Sequence, residues 1–266
     1  MSRYKNKTVV VTGAGRGLGA ALCRKFGKKG AFIAGCDLNQ NDLDALSKEL
    51  TSLGIEHHLG ICDVSNEAQV NDFFDSIHAK GKSIDVLINN AGVTNIKLFK
   101  DNTNAEIERL MRINFNGSLY CTRAAYDDII QNKGSFVAIS SVAGFSPLYG
   151  RTGYAASKHA VLGFFETLRS EVAAEGVHVL VACPGFIATN LRDEYYKPDE
   201  DISSTKHKVG DNASPDEVAA LIYEATVKRK PMLITGVGKI SYILKRLIPN
   251  VYEKIMTKKM IAGFED

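Results

Sequence analysis

The sequence predicts an α/β domain, a doubly wound parallel sheet of about seven strands with helices on both faces. Three observations carry this expectation. Short runs rich in Val, Ile and Ala are apolar throughout instead of alternating, the pattern of strands buried on both faces. Those runs alternate along the chain with longer segments whose apolar residues recur at helical spacing. A glycine-rich turn stands between the first run and the first helical segment. Parallel strands joined through helices require right-handed crossovers, so the helices cover the sheet.

Taken in order, Thr8, Val9, Val10 and Val11 form the first predicted strand. Leu18, Ala21, Leu22 and Phe26 form the buried stripe of the first helix. Residues 31–36 are the second strand, Leu43, Leu46 and Leu50 mark a helix over 42–53, and residues 56–62 are the third strand. Val70, Phe73, Phe74 and Ile77 mark the next helix, and residues 85–88 the fourth strand. A long helix is predicted over 106–130, a strand over 135–140, another long helix over 154–174 and a strand over 177–182. A helix over 216–228 and a short strand over 232–235 complete the alternation. No linker, repeat or low-complexity tract divides residues 1–238, which read as one domain.

Residues 239–266 form a basic amphipathic extension. Ile240, Ile243, Leu244, Leu247 and Ile248 share one helical face, and Val251, Tyr252, Ile255 and Met256 continue after Pro249. Between Lys239 and Ile261, Lys239, Lys245, Arg246, Lys254, Lys258 and Lys259 stand against a single acidic residue, Glu253. Such a face ordinarily packs on its own domain or a partner subunit. Peripheral contact with an anionic membrane surface is the lesser alternative.

A chain of 266 residues that is 45% hydrophobic can build its core without a disulfide or metal staple. The net charge of +3 carries no clustered basic excess of the kind a nucleic-acid binder shows. Cys23, Cys36, Cys62, Cys121 and Cys183 are odd in number and form no CxxC pair, so neither a disulfide framework nor a metal site is expected. They read as small hydrophobes in a reducing compartment. The apolar run at Val9 breaks at Thr12 and Gly13, too early for a signal peptide, and no run approaches a membrane span. The expected location is cytoplasmic.

Two constellations carry chemistry. Gly13, Gly17 and Gly19 lie in a turn that also holds Arg16 and Leu18, where a chain entering a helix can bring backbone N–H groups to a pyrophosphate. Asp37, at the end of the second strand, can accept hydrogen bonds from adenosine ribose hydroxyls and would repel a 2′-phosphate; its plain alternative is to cap the next helix. Tyr154 and Lys158, four residues apart, share one helix face, and an ammonium beside a phenol favours the phenolate. Ser141 ends the fifth strand upstream of them, with Ser140 pointing to the opposite side of that strand. Asn114, near Asn116 and Gly117, is a poor mid-helix residue, which argues for a kink or a specific role.

The TGxxxGxG turn from Thr12 to Gly19 resembles the cofactor motif of the short-chain dehydrogenase/reductase family. Asn89-Asn90-Ala91-Gly92, Ser141 with Tyr154-Ala155-Ala156-Ser157-Lys158, and Pro184-Gly185 through Thr189 match that family's further motifs. The resemblance implies a Rossmann-type fold and NAD(P)-dependent interconversion of a secondary alcohol and a ketone, or of an alcohol and an aldehyde. It makes Tyr154 the general acid/base and gives Lys158 the nicotinamide ribose and the task of lowering the Tyr154 pKa. It places Ser141 on the substrate oxygen, and Asn114 in a proton relay through a water on its backbone carbonyl. It gives Asp63 and Val64 the adenine, although Asp63 equally reads as a helix cap. Asn90, Ala91 and Gly92 would steady the sheet beside the cofactor, and Pro184, Gly185, Ile187 and Thr189 would hold its nicotinamide end. Asp37 favours NAD, while a basic residue at Arg16 can receive a 2′-phosphate in some members and keeps NADP open. Residues 190–213, with Tyr195 and Tyr196, would be the substrate lid. The implied partners are a small carbonyl or alcohol substrate, apolar if lid and tail form a lipid-facing pocket, and further copies of the chain in a homodimer or homotetramer. Two other readings are a cofactor-binding redox sensor without turnover and a same-fold epimerase or dehydratase.

Overall fold

Val9, Val10 and Val11 are fully buried, yet they face two different cores. Val9 and Val11 pack in one hydrophobic cluster and Val10 in the other, as the two-residue period of a strand demands. They belong to β1 (Thr8–Thr12), followed by α1 (Gly17–Gly27), β2 (Phe32–Asp37), α2 (Gln40–Ser52) and β3 (His57–Ile61). Next come α3 (Glu67–His78), β4 (Val86–Asn89), α4 (Asn104–Met111), α5 (Gly117–Ala124), α6 (Tyr126–Gln131) and β5 (Ser135–Ile139). The chain continues through α7 (Thr152–Glu171), β6 (His178–Cys183), α8 (Pro215–Val227), β7 (Met232–Ile234), α9 (Gly238–Leu247) and α10 (Pro249–Ile261). This computed structural model describes residues 4–185, 187, 213–236 and 238–261.

The seven strands form one sheet in the order β3-β2-β1-β4-β5-β6-β7, with every pair parallel. Val10 stands opposite Ala34 on one side and Leu87 on the other. Chain order reverses at β1 and β4, which makes the carboxyl ends of these two strands the natural binding crevice. One face is covered by α1 and α8, where Tyr4, Phe26 and Tyr223 meet with ring centroids 5.0–5.6 Å apart. On the other face Phe73, Phe74, Cys121, Phe136 and Phe165 form the second cluster. Truncating a fully buried ring such as Phe26 or Phe165 would cost about 3–5 kcal/mol. All five cysteines are free and buried, as small hydrophobes are.

Two sequence expectations need correction. Strands buried on both faces are found at β1, β4, β5 and β6, whereas β3 and β7 are only half-buried because each is an edge of the sheet. The single long helix expected over 106–130 is broken into α4, α5 and α6, with one π-helical turn, Arg112–Asn116, between α4 and α5. The poor helix formers Asn114 and Gly117 are the local cause. Gly117 also admits Val64, since a Cβ there would lie 2.7 Å from a Val64 methyl group.

Helix entries follow local capping chemistry. Thr103 with Glu106, and Ser214 with Glu217, form reciprocal capping boxes at α4 and α8. Asn39 caps α2 and Asn66 caps α3. Among the described residues no helix is long and apolar enough to cross a membrane.

Candidate active site

At the carboxyl ends of β1 and β4 the glycine turn is fastened to the following strand by side chains. The Thr12 hydroxyl accepts from the backbone N–H groups of Asn90 and Ala91, each at 3.0 Å. The Asn90 amide donates back to the carbonyls of Thr12 and Gly13 at 2.9 and 3.0 Å. Gly13 adopts φ +62°, and a Cβ there would lie 2.9 Å from the Ala91 Cα, so both conformation and space demand glycine. A Cβ on Gly19 would strike the Gly13 carbonyl. The turn runs into α1, whose first turn receives no side-chain cap, leaving its N–H groups directed at the crevice. Leu18 itself is buried in the core, so what it offers the crevice is backbone.

Asp37 sits beside this turn. One carboxylate oxygen accepts from the Gly15 N–H at 2.9 Å and the other from the Asn39 N–H at 3.2 Å. Asn39, not Asp37, caps α2. Arg16 is exposed at the rim, 3.9 Å from Asp42. The plain alternative for Asp63 also falls away as a helix cap: Asn66 caps α3, while Asp63 accepts from the Ser65 N–H and hydroxyl at 2.9 and 2.8 Å. Val64 is buried beside it, against Gly117.

The second constellation gathers at the ends of β4 and β5. Tyr154 lies in the first turn of α7 and Lys158 one turn later, both almost fully buried. The Tyr154 phenol lies beside Ser141, whose hydroxyl accepts from the Ala143 N–H at 3.2 Å. Ser140 faces away and donates to the Lys158 carbonyl at 3.0 Å, which fixes α7 on β5. The Lys158 ammonium donates to the Ile139 carbonyl at 2.9 Å and lies 5.8 Å from the centre of the Tyr154 ring. A Cβ on Gly92 would lie 3.0 Å from the Asn114 carboxamide oxygen and 3.3 Å from the Lys158 nitrogen. The missing side chain at Gly92 therefore keeps these two groups close to the crevice floor.

Asn114 is wholly buried in the π-helical turn. Its carboxamide accepts from the Val93 N–H at 2.8 Å and donates to the Val93 carbonyl at 3.0 Å and the Ser157 hydroxyl at 2.8 Å. Its backbone carbonyl accepts from the Ser118 hydroxyl at 2.9 Å. The π turn thus ties α4 and α5 to both the Gly92 loop and α7. Asn116, the nearby competitor, ends that turn.

Burial dominates the electrostatics. It raises the Tyr154 phenol above its ordinary value, while the Ser141 hydrogen bond and the Arg151 guanidinium pull the other way. Burial also lowers Lys158 from 10.5 to about 8, close to neutrality. Arg151, at the N-terminal end of α7, places its guanidinium 5.7 Å from the centre of the Tyr154 ring and donates to the Thr94 hydroxyl at 2.8 Å. Sequence reading passed over Arg151 and, while quoting Ser157 within the motif, gave it no role. The signal for Arg151 was its position three residues before Tyr154, one helical turn away; Ser157 gave none, since its partner Asn114 is distant in sequence.

Pro184 is buried, and the Gly185 N–H donates to the Thr235 hydroxyl at 3.0 Å, which holds the turn after β6 against the end of β7. Ile187 bridges to Ala213. Thr189, and the expected lid with Tyr195 and Tyr196, lie outside the described residues. No group of His, Cys, Asp and Glu among the described residues could hold a metal ion.

Comparison with known proteins places this geometry. A family model described as short chain dehydrogenase matches residues 7–200. Dehydrogenase/reductase SDR family member 7B of Xenopus laevis is 33% identical over 263 residues, covering 94% of this chain and 81% of that protein. The 3-oxoacyl-[acyl-carrier-protein] reductase FabG of Thermotoga maritima is 30% identical over 221 residues, covering 83% of this chain and 90% of that protein. Among solved structures, a short chain dehydrogenase/reductase from Burkholderia phymatum in complex with NAD superposes with a TM-score of 0.78 at 25% identity, over 91% of this chain and 92% of that one. A metagenomic short-chain oxidoreductase in complex with NADP gives 0.72 at 26% identity, over 87% and 96%. With its all-parallel seven-stranded sheet and these matches across most of its length, the chain belongs to the short-chain dehydrogenase/reductase family of oxidoreductases.

Proposed function

We propose that this protein interconverts a secondary alcohol and a ketone, or an alcohol and an aldehyde, with Tyr154 as the acid/base and NAD as the preferred nicotinamide cofactor. The observation that carries the reading is the buried Tyr154 phenol, set beside Ser141 and flanked by the cations of Lys158 and Arg151.

The residues present fit a dinucleotide. The crevice at the β1–β4 reversal is shaped by glycines whose Cβ atoms would collide with Ala91, Asn90 or the Gly13 carbonyl. Gly13, Arg16, Gly17, Leu18 and Gly19 would hold the pyrophosphate, and Asp37 the adenosine ribose. Asp63 and Val64 would border the adenine. Asn90, Ala91, Gly92 and Lys158 would lie along the nicotinamide ribose, with Pro184, Gly185, Ile187 and Thr189 beyond it. When bound, the nicotinamide supplies or accepts the hydride. A carboxylate at Asp37 opposes a 2′-phosphate, which is the ground for NAD over NADP; Arg16 at the rim is the counterweight.

In reduction, the Tyr154 phenol gives its proton to the carbonyl oxygen as negative charge develops there, and the Ser141 hydroxyl donates a second hydrogen bond to the same oxygen. Oxidation reverses both transfers. The resulting phenolate is stabilised by the neighbouring cations. Lys158, with a value near neutrality, can give up and regain a proton, and Asn114 holds Val93, Ser157 and the π turn in register around it.

The test is NADH and NADPH oxidation with a graded panel of ketones and aldehydes, from small and polar to long and apolar. Wild type should turn over at least one class and prefer NADH. Tyr154→Phe should bind cofactor normally and lose about 10²–10⁴-fold in turnover. Retained turnover in that variant removes Tyr154 from the acid/base role. Cofactor binding with no turnover across the panel would turn the reading towards a redox sensor.

A further inference from the structure

The apolar stripe of the C-terminal helices does not face the domain. Ile240, Ile243 and Leu247, spaced to share one side of α9, are 62%, 55% and 74% exposed. Val251 and Ile255, one turn apart on α10, are 50% and 44% exposed. The hairpin is attached by other residues. Tyr242 stacks edge-on against Phe145 at 5.1 Å, Gly238 fits tightly against Val142 and Ile234, and Tyr252 is buried. The two helices are joined by the ion pair between Lys245 and Glu253 at 2.7 Å. That pair uses the only carboxylate in residues 238–261. Lys239, Arg246, Lys254 and Lys258 remain exposed around the aliphatic side chains.

Isoleucine and leucine in water, amid cations to which the described residues of the hairpin offer only the Glu253 carboxylate, fit a surface that is apolar inside and anionic outside. A second copy of this chain is a poorer occupant. A two-fold interface sets the same patch of both copies face to face, so it would bring two positively charged patches together. An anionic bilayer instead neutralises them while its acyl boundary takes the aliphatic chains. Neither helix can span the bilayer, which makes the association peripheral. We infer that the α9–α10 hairpin is a docking surface for anionic phospholipid membranes. Its anchor points, Val142 and Phe145, lie one and four residues after Ser141, so the docked face adjoins the segment that carries the candidate active site.

The experiment is co-sedimentation of the full-length protein with phosphatidylcholine vesicles, with and without phosphatidylglycerol. Binding should require the anionic lipid and fall sharply near 1 M salt, where the Debye length shrinks to about 3 Å. Ile243→Ser/Leu247→Ser and, separately, Lys254→Glu/Lys258→Glu should each weaken vesicle binding about tenfold or more. All four residues are exposed, so thermal midpoint and NADH binding should stay at wild-type values. Absence of binding to the anionic vesicles at low salt overturns the inference, as does equal binding by wild type and both variants. If the apolar variant instead converts an oligomer to a smaller species in light scattering, and wild-type vesicle binding is absent, the face is a subunit interface. The readout is independent of turnover, so a failed substrate panel leaves it unaffected.

Discussion

Lys158 holds a charge where the fold penalises charge, and replacing it with methionine should raise stability while removing activity. The ammonium is buried, and its value falls from 10.5 to about 8, a penalty of about 3 kcal/mol on the protonated form. Against that gain stands the hydrogen bond to the Ile139 carbonyl at 2.9 Å. Loss of a charged donor there costs about 1.5–3 kcal/mol. The balance at pH 7 is a net stabilisation of about 1 kcal/mol, which for a chain of this size raises Tm by about 2–4 °C.

The pH dependence is the sharper test. A lysine whose folded value lies below its unfolded value binds fewer protons in the native state. The penalty is therefore complete below about pH 8 and fades as pH rises towards 10.5. Wild type should gain on Lys158→Met across that window, and the order of their stabilities should reverse near pH 10, where the neutral amine keeps its hydrogen bond without the charge penalty. Thermal unfolding of both proteins at several pH values between 7 and 10 measures this directly. A difference in Tm that stays flat over that range, or a variant least stable at pH 7, would refute the reasoning. Turnover by the variant should fall about 10²–10⁴-fold, because the phenolate loses a cation and the site loses its proton carrier.

Two further substitutions separate backbone from charge. Gly13→Ala and Gly54→Ala both force a side chain into positive φ, +62° and +66°, but only Gly13 has backbone within 2.9 Å of the new Cβ, whereas Gly54 faces open space. The first should lose about 1–3 kcal/mol and weaken NADH binding; the second should lose about 1 kcal/mol in thermal unfolding and leave NADH fluorescence titrations unchanged. Arg151→Met removes the guanidinium 5.7 Å from the centre of the Tyr154 ring, so the pH profile of alcohol oxidation should move its rising limb to higher pH. A profile identical to wild type would show that Arg151 does not act on the phenol.

Much of the fold was legible because its cause is local. Val9 to Val11 are apolar at every position, and only a strand covered on both faces needs that. Spacing of Leu43, Leu46 and Leu50 leaves one buried helix face, and all three are buried in α2. Motif spacing likewise brought Tyr154 and Lys158 onto one face of α7 and set Ser141 just past the end of β5. Less legible was the π turn at Arg112–Asn116. Asn114 and Gly117 announced an irregularity, but its form depends on Val93, Ser157 and Val64, which arrive from other elements.

What the sequence by itself determined is periodicity and local chemistry: the alternation of strands and helices, the glycine turn and the tyrosine–lysine pair. These follow from neighbours within a few residues, where backbone geometry dictates which side chains share a face. Only the tertiary structure decided which apolar face is covered. The stripes of α1 and α10 carry similar residues, yet Leu22 is wholly buried under the sheet's helical layer while Val251 stands half in solvent. Tertiary packing also decided that Arg151 lies against the Tyr154 ring and that burial, more than any neighbouring charge, sets the Tyr154 and Lys158 values. Burial and long-range contact depend on the sum of packing across the sheet, a quantity no short stretch of sequence contains.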